Sequence, residues 1–170
     1  MVGKATSSDK LLNHVDVLYG FPFNSKLFNN NGEGLPLLRI RDINTGLSDT
    51  FTTEQADEKY LLNDGDILFA RSGNTVGKTF RYKAEHGRGI YAGFLIRLIP
   101  DTTKVLPDYV FGFTKSAFYE DFVKKTQRAV GQPNINAQEY GDLQICLPPL
   151  EEQKRFSEFM AQSDKSKFVV

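Results

Sequence analysis

The sequence is poor in the residues on which metal and redox chemistry usually depend. Its 170 residues include one cysteine, two histidines and no tryptophan. A single cysteine excludes an internal disulfide and any cysteine-based metal cluster. His14 and His86 lie far apart without an evident partner, so we interpret both as structural or solvated and Cys146 as a small core residue. We therefore predict no catalytic residues, no bound metal and no cofactor, and thus no enzyme.

A long apolar run and an excess of one charge are also missing. No segment approaches the length of a membrane-spanning helix, and residues 1–10 do not resemble a signal peptide, so we expect a cytoplasmic protein without membrane contact. The 21 basic residues balance 21 acidic ones. However, residues 42–66 carry seven acids and one base, whereas residues 67–104 carry seven bases and two acids. Either a positive face or an acidic loop lying against a basic hairpin would explain this segregation.

The periodicity of the apolar residues predicts an α+β domain. Strand-like alternation occurs at residues 14–19, 37–43, 66–70, 79–83 and 143–147, and residues 90–99 are apolar on both faces, as in a central strand. Helical spacing from Pro107 to about Gln127 predicts one or two helices, and Pro149 suits the first turn of another that begins near Leu150. We predict a twisted, mostly antiparallel sheet with flanking helices over residues 1–148, followed by a helix over residues 149–170.

A glycine-rich segment between two strands, Arg71 to Thr79, is the most informative part of the chain. Three residues separate Gly73 from Gly77, whereas a phosphate-binding loop needs four and a following helix. The next residues alternate like a strand, so the segment predicts a β-hairpin. Its tip and outgoing arm carry cationic and amide side chains that suit phosphates and base edges, namely Arg71, Asn74, Lys78, Arg81 and Lys83.

A second polar segment, residues 128–136, has the sequence Arg-Ala-Val-Gly-Gln-Pro-Asn-Ile-Asn. Glutamine and asparagine side chains can pair with adenine edges through two hydrogen bonds, and Gly131 and Pro133 would restrict their backbone. By itself such a loop is ordinary turn chemistry. Its combination with the basic hairpin favours a second element that faces DNA.

Five segments, taken in order, resemble the target-recognition domain of a type I restriction–modification specificity (S) subunit. They are residues 19–26, 38–43, 65–73, 131–136 and 147–153. The resemblance covers nearly the whole chain and implies a recognition domain followed by a spacer helix, without chemistry of its own. It implies that the chain reads one half of a bipartite target in double-stranded DNA. The implied partners are an adenine methyltransferase (modification) subunit, which binds S-adenosylmethionine, and an ATP-driven restriction (translocase) subunit.

The resemblance also assigns candidate contacts. Hairpin and loop residues expected to face DNA are Arg71, Ser72, Asn74, Lys78, Gln132, Asn134 and Asn136, with Arg39, Arg41 and Arg81 as further candidates. The apolar stripe of the last helix is expected to contact a partner or a second copy, through Leu150, Phe156, Phe159 and Met160.

The chain departs from the family pattern in having one recognition unit and a helix about half as long as the spacer. It is either a half-subunit, which would form a homodimer or pair with another half through this helix, or a truncated form. Two other functions stay open. One is a protein-interaction domain without DNA reading, and the other is a P-loop-like nucleotide-binding enzyme built on residues 72–79.

Overall fold

The computed structural model describes residues 8–127 and 131–166 and confirms an α+β fold. Its strands are β1 (Ser8–Lys10), β2 (Val15–Tyr19), β3 (Phe28–Asn29), β4 (Leu35–Leu38), β5 (Phe51–Thr52), β6 (Ile67–Ala70), β7 (Thr79–Arg81), β8 (Ile90–Tyr91), β9 (Leu95–Pro100) and β10 (Gln144–Cys146). Its helices are α1 (Pro107–Phe113), α2 (Ala117–Thr126), α3 (Ala137–Gly141) and α4 (Leu150–Ser166).

The central sheet has the antiparallel order β2-β9-β6-β7. Its apolar residues point to two separate cores. On one face Phe69 and Ile96 pack against α1, α2 and α3, and on the other Leu68 and Leu95 pack against the second sheet and Tyr82. The prediction of a central strand covered on both sides is therefore confirmed for β9.

The strands divide among three sheets rather than forming one continuous sheet. The second sheet has the order β3-β5-β4-β8, in which β4 and β8 run parallel, and β1 pairs with β10 in a third. The predicted strand at residues 90–99 is interrupted at residues 92–94, because β8 belongs to the second sheet and β9 to the central one. The predicted strand at residues 37–43 ends at Leu38, because the Asp42 carboxylate accepts the Arg39 N–H at 2.8 Å and closes a 3-10 turn.

Helices α1, α2 and α4 lie where the sequence predicts them, whereas α3 was not predicted. Pro107 opens α1, and the Ser116 hydroxyl accepts the Tyr119 N–H at 3.3 Å at the start of α2. The side chain of Gln153, fully buried, joins α4 to the segment before α1 by accepting the Leu106 N–H at 2.8 Å and donating to the Lys104 carbonyl at 3.0 Å. The first turns of α4 are thus anchored on the domain.

The structure shows the surroundings of the single cysteine and the two histidines. Cys146 is exposed, so its prediction as a core residue is wrong; in β10 the buried position is its neighbour Ile145. His14 Nε2 lies 2.9 Å from the Asp9 carboxylate, and His86 Nδ1 accepts the Lys83 N–H at 2.8 Å. Among the described helices, none combines the length and the apolar character that a membrane crossing requires.

Candidate nucleic-acid interface

The β6–β7 hairpin and the second polar loop lie side by side. Ser72 and Asn134 form an antiparallel bridge, the Gly73 N–H donates to the Pro133 carbonyl at 3.0 Å, and the Ile135 N–H donates to the Arg71 carbonyl at 2.9 Å. Residues 71–78, hereafter the hairpin tip, therefore share one surface with residues 131–136. Arg128, also part of the predicted loop, lies outside the described residues.

Two buried tyrosines hold the hairpin tip from behind. Tyr140 of α3 donates its hydroxyl to the Ala70 carbonyl at 2.8 Å and accepts the Gly77 N–H at 3.1 Å. Tyr119 of α2 donates to the Gly77 carbonyl at 2.8 Å. Burial raises the pKa of both phenol groups, so they remain protonated and keep donating. The tip is thereby fixed to two helices before any ligand arrives.

The antiparallel order of the central sheet brings three chain segments to the same edge. The end of β2, the start of β9 and the end of β6 meet there, so Tyr19, Phe94 and Arg71 are neighbours. The Arg71 N–H donates to the Phe94 carbonyl at 3.1 Å, and the Arg71 guanidinium lies 5.0 Å from the centre of the Tyr19 ring. Tyr19 is 47% exposed and Phe94 is 57% exposed.

Sequence reasoning missed both aromatic residues as candidate contacts. Tyr19 opens the first segment of the family resemblance, which was the available signal, but its alternating strand pattern gave no reason to expect exposure. Phe94 was assigned to a continuous buried strand, and only the break at residues 92–94 brings it to the surface.

The predicted contacts at this edge differ in accessibility. Asn74, Lys78 and Gln132 are exposed, and Lys78 makes no ion pair within the described part of the chain. Asn134 is partly buried. Ser72 is only 5% exposed, so its side chain is the least accessible of the predicted contacts at this edge.

Asn136 has a structural role that sequence reasoning did not assign. Its side-chain oxygen accepts the Glu139 N–H at 2.9 Å, and its own N–H donates to the Glu139 carboxylate at 2.7 Å. This reciprocal pair is the capping box of α3. The oxygen that would accept from a base is therefore already occupied by the helix start.

The three further arginine candidates each contact another side chain of the domain. Arg41 pairs with Asp49 and also donates to Thr50, and Arg81 is drawn between Asp64 and Asp108. Arg39 lies over the Phe28 ring at 5.6 Å.

Ion pairs account for part of the segregated charge pattern. Arg97 forms a buried ion pair with Asp66 at 2.7 Å, and Lys83 lies 3.7 Å from Glu85. Two of the seven acids of residues 42–66 thus meet bases of residues 67–104, Asp66 with Arg97 and Asp64 with Arg81. The segregated charge is therefore neutralised in part within the fold, and the positive charge at the hairpin tip comes from Arg71 and Lys78.

The remaining predicted features are also located. After Lys78 the chain enters β7 rather than a helix, so the geometry of a phosphate-binding loop is not present. The described residues include no group of three or more histidine, cysteine, aspartate or glutamate side chains placed to hold a metal ion.

The side chains of α4 that the sequence predicted as partner contacts differ in exposure. Phe156 packs inward on Tyr109 with ring centres 5.3 Å apart, whereas Phe159 is 65% exposed and Leu150 is 37% exposed. Met160 lies beside Gly112 and lines a groove of about 1080 Å³ between β7, α1 and α4.

Comparisons with known proteins agree with this architecture. The family model described as the type I restriction modification DNA specificity domain matches residues 16–168. The putative type I restriction enzyme MjaX specificity subunit of Methanocaldococcus jannaschii is 32% identical over 141 residues, covering 77% of this chain and 33% of that protein. The MjaVIII specificity subunit of the same organism is 26% identical over 129 residues, covering 76% and 29%. The chain thus spans about a third of the length of these relatives.

Solved structures show the same fold. The HsdS subunit from Thermoanaerobacter tengcongensis superposes with a TM-score of 0.74 at 19% identity, over 98% of this chain and 39% of that one. A type I restriction–modification S subunit from M. genitalium gives a TM-score of 0.69 at 11% identity, over 97% and 41%. At these identities the likeness bears on the fold alone.

Proposed function

The chain belongs to the family of type I restriction modification DNA specificity domains, and from this premise we propose that it reads one half of a bipartite sequence in double-stranded DNA. One observation carries the proposal. The hairpin tip and residues 131–136 are hydrogen-bonded into a single edge that leaves two cations and two amides accessible, Arg71, Lys78, Asn74 and Gln132.

These side chains suit different parts of the DNA, either the phosphate backbone or the base edges. Lys78 is a mobile point charge without an ion-pair partner in the described residues, which suits a phosphate. Asn74 and Gln132 offer both donors and acceptors, which suit base edges in the major groove. Because Tyr119 and Tyr140 fix the tip from behind, little ordering is required when DNA binds.

We further propose that the chemistry lies with partner subunits. The relatives are specificity subunits of type I restriction enzymes, so the proposed partners are a modification subunit and a restriction subunit in the cytoplasm. The exposed part of α4, around Phe159, is the proposed contact. A symmetric pair of chains joined there would read a palindromic bipartite site.

The DNA-reading proposal is tested by measuring how duplex binding depends on salt concentration in two lysine variants. The expected result for Lys78→Gln is weaker binding to all duplexes alike and a salt slope reduced by about 1, because one phosphate contact is lost. Lys83→Gln is the matched control, since it removes the same charge from a lysine that lies beside Glu85 rather than at the tip. Fluorescence anisotropy over a range of salt concentrations, with the chain alone and with a modification subunit, measures both quantities.

Gln132→Ala completes the test, because its expected effect is a changed sequence preference rather than a uniform loss of affinity. Equal effects of Lys78→Gln and Lys83→Gln would contradict the assignment of the tip. Absence of salt-sensitive binding to any duplex, with or without the modification subunit, would overturn DNA reading and leave a protein-interaction domain.

A further inference from the structure

Arg71 is one of the arginines of the domain whose charge is not paired with a carboxylate in the described part of the chain. Arg41, Arg81 and Arg97 each have a carboxylate partner. Arg71 makes no ion pair with any described residue, although it is partly buried. Its Nε is buried without a hydrogen-bond partner, whereas its two terminal amino groups are not among the buried, unpartnered atoms. These terminal amino groups are therefore at least partly open to solvent.

The backbone of Arg71 is locked by two other segments. Its N–H donates to the Phe94 carbonyl at 3.1 Å and its carbonyl accepts the Ile135 N–H at 2.9 Å. The preceding Ala70 is completely buried and bonded to Tyr140 at 2.8 Å. The Cα position of Arg71 is thus fixed relative to the central sheet, the turn at Phe94 and the loop at Ile135.

Tyr19 fixes the direction of the side chain. The guanidinium lies over the Tyr19 ring at 5.0 Å. That ring is anchored at both ends, because the Tyr19 hydroxyl accepts the Ala137 N–H at 3.2 Å and the Tyr19 carbonyl accepts the Tyr91 hydroxyl at 3.3 Å. This cation–π contact uses no N–H donor, so the terminal amino groups of the guanidinium fork remain available to a ligand.

A base suits this fork better than a phosphate. A planar arginine edge matches the O6 and N7 acceptors of guanine, which is the commonest specific contact in the major groove. The neighbouring exposed groups are the apolar ring of Phe94 and the amide of Gln132, whereas a phosphate would favour further cations. Lys78, at the other end of the tip, already provides a mobile cation for the backbone of the DNA.

We propose that Arg71 reads a guanine through its major-groove edge and that Tyr19 is its positioning residue. This rests on the proposed function and adds to it the base that one residue recognises. Stacking on an anchored ring restricts the guanidinium before binding, so less conformational entropy is lost when both donors engage the base.

The experiment begins with the full chain, together with a modification subunit, and a library of randomised duplexes from which the preferred sequence is selected. Each guanine of that sequence is then replaced by 7-deazaguanine, which lacks the N7 acceptor. One replacement is expected to weaken binding by about 5- to 140-fold, the range of a two-bond arginine–guanine contact. Arg71→Gln is expected to abolish that sensitivity. Arg88→Gln, which removes an exposed charge from the turn before β8, is expected to keep it.

The role of Tyr19 has its own readout. Tyr19→Phe keeps the ring and is expected to retain the sensitivity to 7-deazaguanine, whereas Tyr19→Leu removes the stack and is expected to reduce it while leaving the salt slope unchanged. Equal sensitivity in Tyr19→Leu and the wild type would overturn the positioning role.

Two results separate this inference from the function on which it rests. If the wild type selects a sequence but Arg71→Gln weakens binding to all duplexes by the same factor, Arg71 contacts a phosphate and the inference is wrong, while DNA reading stands. If the wild type selects no sequence and shows no salt-dependent binding, both are wrong.

Discussion

Gly77 shows how a single position shapes the hairpin tip. Its φ of +82° lies in the left-handed region, where side chains with a Cβ are strained. A Cβ built there would also lie 2.6 Å from Val123 Cγ1, so α2 packs directly against the turn. The glycine therefore satisfies both a backbone requirement and a packing requirement, and the sequence motif that contains it reflects folding rather than nucleotide binding.

Replacing this glycine by alanine is expected to destabilise the protein. Gly77→Ala should lower the free energy of unfolding by about 2–5 kcal/mol, because strain and overpacking add. Gly87→Ala is a matched control, since Gly87 has a φ of +78° but no atom within 4 Å of the added Cβ. Because its ψ of −149° lies close to a region almost confined to glycine, this change should cost about 1–3 kcal/mol from backbone strain alone. Urea unfolding followed by circular dichroism measures both, and equal losses would mean that α2 does not pack tightly on the tip.

The turn between β9 and α1 is stabilised by contacts to the carboxylate of Asp101. The Thr103 hydroxyl donates to the Asp101 carboxylate at 2.6 Å, and Lys104 Nζ lies 2.9 Å from it. These contacts, the Thr103 hydroxyl first, lower the pKa of Asp101 from 3.8 to about 2. The folded state therefore binds the proton more weakly than the unfolded state, so the stabilisation is present above pH 3.8 and is lost as the pH falls toward about 2.

This turn predicts a specific acid dependence. Across the window from pH 3.8 down to about 2, the wild type should lose stability more steeply than Asp101→Asn, which has no group to protonate there. Thr103→Val should lie between them, because it removes the largest cause of the shift. The measurement is the urea midpoint at several pH values in the window and at neutral pH. Parallel pH profiles in all three proteins would show that this turn does not couple to acid unfolding.

At the scale of the whole molecule, helix α4 packs one aromatic residue against the domain and exposes another to solvent. Phe156 packs on Tyr109 and beside Gly112, whereas Phe159 is 65% exposed. Gln153 anchors the start of the same helix on the Leu106 N–H. One side of α4 is therefore part of the core of the domain, and the other is available to a second copy or a partner subunit.

The two phenylalanines should respond differently to substitution. Phe156→Ala is expected to lower the free energy of unfolding by about 2–4 kcal/mol, because it empties a packed site. Phe159→Ser is expected to change it by less than about 0.5 kcal/mol but to weaken association with a second copy or a modification subunit. Analytical ultracentrifugation, with and without that subunit, measures association. Unchanged association in Phe159→Ser would exclude this face of α4 as the contact.

The sequence by itself determined the features that depend on neighbouring residues. Gly77 and the spacing of the glycines predicted a hairpin, and Pro107 and Pro149 marked the starts of helices. The alternating runs predicted the longer strands of an α+β domain but not the short strands β1, β3 and β5. Each of these follows from local backbone restrictions and short-range periodicity, which act within a few residues.

Only the tertiary structure decided which polar groups are free to bind. Arg41 and Arg81 were further candidates beside Arg71, but each meets a carboxylate from elsewhere in the chain. Ser72 is buried next to the loop that bridges it. Phe94 reached the surface because two sheets share one apolar run. Burial and ion pairing depend on contacts between residues distant in sequence, and periodicity carries no information about such contacts.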